Sequence, residues 1–105
     1  MNKTHFNEFF KHMIEEVKQT RDSGQDEYAS PSNVFEDFVQ TAELTGTTPA
    51  IVLYTFLNKH IRGIGAFIRG RKSQREDVTG RIKDAIVYLM LLWAMVEEEK
   101  STESH

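Results

Sequence analysis

Cysteine is absent from the sequence, and its absence excludes a disulfide scaffold, a zinc ribbon and a thiolate enzyme. Long apolar runs are scarce as well. The longest, Ala85 to Val96, has twelve residues, short of the ~20 that a membrane-crossing helix needs, so no membrane partner is expected. The first ten residues mix Lys3 and Glu8 with other polar groups and lack the continuous apolar stretch of a secretion signal. A phosphate-binding glycine loop, a dinucleotide fingerprint, a nucleophile elbow and an H-E-x-x-H zinc motif are all missing. Strand-like alternation, internal repeats and low-complexity segments are missing too.

What remains is a folded composition. Of 105 residues, 39% are hydrophobic and 28% charged, which suits a packed domain rather than a disordered chain. The length allows one domain over 1–105, with a core at about 4–99 and a frayed tail at 100–105. Its apolar pattern predicts an all-α, four-helix, bundle-like fold. Phe6, Phe9, Phe10, Met13, Ile14 and Val17 keep the spacing of one helical stripe over 4–22. Asn2 or Thr4 suits the cap, and Ser23-Gly24 suits the end. Asp22 to Ser30 has no period and reads as a loop. A second helix is expected from Ser30 or Ser32, because Ser30-Pro31 matches a capping serine with proline at the first helical position. Val34, Phe35, Phe38, Val39 and Ala42 form its stripe, and Thr45-Gly46 ends it.

Thr48-Pro49 repeats that start signal for a third helix, running to Ile68 or Arg69. Leu53, Leu57, Ile64 and Ile68 line one side, with Ile61 or His60 between them. Gly63 and Gly65 lie inside it, where each costs about 1 kcal/mol against alanine. A close helix crossing is the favoured reason, with a kink or an approaching ligand as the alternatives. Ser73-Gln74-Arg75-Glu76 fits a capping box for a fourth helix reaching about Glu99. Val78, Ile82, Ala85, Leu89, Leu92, Trp93 and Val96 make its stripe. Ile86, Tyr88, Met90, Leu91 and Met95 leave its second half apolar nearly all round. A helix of that kind needs burial on every side, either at the centre of the domain or, because four helices this small seldom surround one completely, against another subunit. Assembly with copies of itself, through helix four and also helix one, is therefore expected.

Four groups of residues are candidates for chemistry. From Lys59 to Arg75 there are six bases and no acid, which leaves −9 for the rest of a chain whose net charge is −3. Such a patch suits phosphate oxygens or an acidic partner; the ordinary alternative is a solvated helix end. Duplex nucleic acid is disfavoured by the net acidity and the shortness of the patch. Second, Arg81, Asp84 and Tyr88 stand at i, i+3 and i+7 on one face of helix four, with Lys59, His60 and Arg62 on helix three. A structural pairing of Lys59 or Arg62 with Asp84 competes with a ligand role. Third, His5, Glu8, His12 and Glu15, with Glu16 nearby, line helix one at metal-like spacing. A solvated face is the commoner meaning, and no metal site is assigned. Fourth, Asp26-Glu27-Tyr28 leads to Ser30-Pro31-Ser32-Asn33 and Asp37, a helix start that can hold a phosphate or be plain turn chemistry.

Taken together, Tyr28-Ala29-Ser30-Pro31-Ser32-Asn33-Val34-Phe35, Asn58-Lys59-His60-Ile61-Arg62 and Gly80-Arg81-Ile82-Lys83-Asp84 to Tyr88-Leu89 resemble small all-helical proteins of phages and bacteria, the nucleotide-modification-associated domains. They are more loosely similar to MazG-like all-α nucleotide pyrophosphatases. The resemblance covers roughly 25–96 and implies a nucleotide-binding module in the cytoplasm of a bacterial host. On that basis Lys59, Arg62 and Arg81 would meet phosphate. Asp84 and Asn33 would meet base, ribose or metal, and Tyr28 or Tyr88 would stack on a base. His60 would line the same pocket. The MazG-like pattern uses E-x-x-E and E-x-x-D to hold magnesium. Here Arg81 stands where the acid before Asp84 belongs, and helix one offers His12-x-x-Glu15. The resemblance therefore implies nucleotide binding more than hydrolysis, with magnesium needed only by a catalytic version. Two other functions remain open: an oligomeric sponge for a nucleotide immune signal, and a module that inhibits a host enzyme by protein contact.

Overall fold

The computed structural model describes residues 1–28, 33–71 and 77–103, with the main chain alone for 25–28 and 103. The fold is all-α, and among the described residues there are four helices and no strand: α1 (Lys3–Tyr28), α2 (Glu36–Thr45), α3 (Pro49–Ile68) and α4 (Val78–Glu103).

Local chemistry explains several of these bounds. Asn2 caps α1, its Oδ1 accepting from the His5 amide at 2.8 Å. The expected stop at Ser23-Gly24 does not occur. The helix passes through both to Tyr28, so the segment from Asp22 that reads as loop is helical as far as 28. An interior glycine costs only about 1 kcal/mol, too little by itself to end a helix. α2 starts at Glu36 rather than at Ser30 or Ser32. Residues 29–32 lie outside the described residues, and Asn33 delays the helix: its Oδ1 accepts from the Phe35 amide at 2.9 Å, the local side-chain bond that competes with helix. Gly46 ends α2 at φ 69°, a left-handed conformation that glycine adopts without penalty. Thr48 caps α3, accepting from the Ile51 amide at 3.2 Å, with Pro49 at the first position. The Ser73–Glu76 capping box lies outside the described residues. α4 continues through 100–103, so that part of the expected tail is helical.

The core is small. Phe38, Ala42, Val52 and Leu53 form its buried cluster, with Phe56, Tyr88, Leu91, Leu92 and Met95 packed around it. Phe38, Phe56 and Tyr88 meet pairwise at 6.2 Å between ring centroids, within the range of favourable aromatic contact. Helix directions follow from the contacts. Arg81 lies on Gly63, Asp84 near His60 and Tyr88 against Phe56, so α3 and α4 are antiparallel. Glu16 meets Lys83, while Thr20, Arg21 and Gly24 share a cavity with Asp84, Val87, Tyr88 and Leu91, so α1 and α4 run the same way. No helix among the described residues is long and apolar enough to cross a membrane.

Candidate functional site

The site is built around α4. Asp84, Val87, Tyr88 and Leu91 recur at three- and four-residue steps, one helical face. With Thr20, Arg21 and Gly24 of α1, Val34 before α2, and Asp37 and Phe38 of α2, they line a cavity of about 250 Å³. Its wall combines two carboxylates, a guanidinium, a hydroxyl, a phenol and apolar surface. The Arg21 guanidinium also pairs with Asp22.

His60 supports this wall from behind. It is the one buried polar side chain among the described residues. Its ring stacks on Tyr88 at 5.7 Å between centroids and 27° between planes, and its Nε2 lies 3.7 Å from Asp84 Oδ2. The competition between Ile61 and His60 for the inner face of α3 is thus resolved. His60 points in, and Ile61 is exposed. The expected pairing of Asp84 with Lys59 or Arg62 is not formed; both cations are exposed, and histidine takes that place.

Arg81 explains Gly63. A Cβ on residue 63 would fall 2.5 Å from Arg81 Cδ and Nε and 2.6 Å from Cζ. Arg81 therefore crosses α3 over bare backbone, and the close-crossing reading of this glycine holds. Lys59 is one turn earlier on the same face of α3. Of the expected cations, Arg81 alone packs on α3, over Gly63; Lys59 and Arg62 are exposed. None of the three lines the cavity. Arg81 is one turn N-terminal to Asp84 on α4.

The remaining expected residues are placed elsewhere. Asn33 lines a second cavity of about 260 Å³ with Phe35, Val39, Pro49, Met95 and Glu98, and its Oδ1 is engaged by Phe35. It does not join Asp84, although its neighbour Val34 does. The Tyr28 side chain lies outside the described residues. On helix one, His12 Nε2 lies 3.3 Å from Glu16 Oε1, and Lys83 Nζ donates to Glu16 Oε2 at 3.0 Å. That lysine hydrogen bond, and then its charge, hold the Glu16 carboxyl below its ordinary value, with His12 adding a little and burial opposing. Glu16 thus ties α1 to α4, and no group of three or more metal-ligating side chains occurs among the described residues.

Thr20, Arg21, Phe38, Val87 and Leu91 line the cavity without having been singled out by motif. The α4 members were implicit in the helical period that runs through Asp84 and Tyr88. The α1 members carried no such signal. No protein-family model matches the chain, and comparison with curated proteins and with solved structures finds no match either.

Proposed function

We propose that the protein binds a nucleotide or nucleotide-like phosphate ligand, seating the base in the α1–α2–α4 cavity and leaving the phosphate outside it for Arg81, Lys59 and Arg62 to meet. The observation that carries this reading is the convergence of Asp84, Tyr88 and Phe38 on one cavity, with Arg81 one turn before Asp84 on α4. Aromatic rings offer stacking surface, and a carboxylate accepts from the amino and imino groups of a base edge. Size limits what enters. Pockets that enclose a drug-sized ligand run to about 300–1,000 Å³, so about 250 Å³ suits a base with part of its sugar. A phosphate would stay outside, where arginine and lysine pair with it best.

Calorimetric titration with a panel of nucleosides, nucleotides and cyclic dinucleotides tests the reading. Binding of at least one nucleotide, more tightly than its nucleoside, is the expected result. No heat from any member, with well-folded protein, overturns it.

A second reading is a magnesium-dependent hydrolase. One observation favours it: Asp37 and Asp84 line the same cavity, and magnesium bound with substrate phosphates commonly takes only one or two carboxylates from the protein. Phosphate release that starts with magnesium and stops with chelator would select this reading. Binding without turnover would select a sequestering protein.

A further inference from the structure

α4 carries a second face that this chain leaves uncovered. Ile82, Ile86, Leu89, Trp93 and Val96 are all exposed, Trp93 by 66%. Their steps of four, three, four and three residues match the seam of a two-stranded coiled coil. A shallow surface depression runs beside them along Met90, Trp93, Ala94 and Glu97. On α1, Phe6, Phe9, Phe10 and Ile14 are exposed as well.

The chain exposes 8221 Å², whereas a compact monomer of 12.2 kDa exposes roughly 6,100 Å². Its radius of gyration is 16.0 Å, against about 13 Å for a compact chain of this length. The excess of roughly 2,100 Å² is summed over the whole chain, and it leaves room for the ~800 Å² per partner that a standard specific interface buries.

We infer that a second copy of this chain covers this face, with the two α4 helices antiparallel about Leu89 and Met90. Charge sets the direction. The first half of α4, 78–90, carries Arg81 and Lys83 against Asp84. The second half, 91–103, carries Glu97, Glu98, Glu99 and Glu103 against Lys100. Arg81 is turned to Gly63 on the inner side, so antiparallel pairing lays Lys83 of each helix on the acidic half of the other and opposes the two helix dipoles. It places Lys83, already held by Glu16, opposite Glu97 of the second copy. Parallel pairing would instead align the glutamates with one another. The seam lies on the outer side of α4, away from the cavity, so the inference is independent of the ligand reading.

Analytical ultracentrifugation of the full chain should give twice the 12.2 kDa monomer mass. Leu89→Glu should reduce it to the monomer with helical circular dichroism retained, because Leu89 is exposed in the single chain. The absence of cysteine makes direction directly readable. Met90→Cys, near the two-fold axis, should cross-link to itself on mild oxidation. Glu97→Cys should not, since antiparallel helices separate the two copies of position 97 by about 21 Å. A monomer mass for the unaltered chain, a mass that Leu89→Glu leaves unchanged, or equal cross-linking at 90 and 97 would overturn the inference.

Discussion

The imidazole of His60 lies stacked on the ring of Tyr88, with 5.7 Å between centroids. The same imidazole places Nε2 3.7 Å from the Asp84 carboxylate. One buried residue of α3 thus sets the position of two cavity-lining residues of α4. His60→Ala removes the ring packing and strips Asp84 of that neighbour. It should destabilise the fold by about 2–4 kcal/mol, measured by urea unfolding, and lower ligand affinity at least tenfold.

Leu53 is the largest fully buried side chain among the described residues, and it sits in the cluster shared with Phe38, Ala42 and Val52. Leu53→Ala should cost about 2–5 kcal/mol, a large part of the ~5–15 kcal/mol total of an ordinary domain. Tyr54 is its neighbour in sequence but exposed, and Tyr54→Ala should move stability by no more than about 0.5 kcal/mol.

Gly63 and Arg81 act as a pair, because Arg81 occupies the space where a Cβ would stand. In an Arg81→Ala background, Gly63→Ala should stabilise the protein by about 1 kcal/mol through helix propensity alone. In the unaltered background that gain should be absent, since the guanidinium must leave α3. A double-mutant cycle by chemical denaturation reads the difference.

The Lys83 hydrogen bond and charge lower the Glu16 carboxyl from its ordinary 4.5. A carboxylate depressed in the folded state contributes stability that is fully present above its unfolded value and is lost as pH falls through the folded one. Replacing Glu16 by glutamine should therefore lower Tm at pH values above about 5. The gap should close as the medium is acidified below 4.5. Thermal melts of both proteins across that range check it.

How much of this could be read in the sequence varies from element to element. α3 has its expected bounds because Thr48, Pro49 and the apolar steps after them act locally, each deciding the backbone beside it. α1 overruns Gly24 and α2 begins late because those ends depend on packing and on the Asn33 side chain, which compete with simple propensity. The Arg81–Asp84–Tyr88 face was visible as a helical period. Its partner was not, since spacing on one helix says nothing of which residue on another comes nearest; His60, not Lys59 or Arg62, meets Asp84. The contributions of Thr20 and Arg21 arise only from α1 running alongside α4. The apolar excess of α4 was plain in composition, and the structure divides it into an inner face against α3 and an outer one left bare.

The most direct test of the ligand reading is a ¹H–¹⁵N NMR titration with the nucleotide panel. Amide shifts should concentrate at Thr20, Asp37, Phe38, Asp84, Val87 and Tyr88, and Asp84→Asn should weaken the response at least tenfold while the spectrum stays folded. A panel that moves none of these amides, or a response that Asp84→Asn leaves intact, would contradict the account.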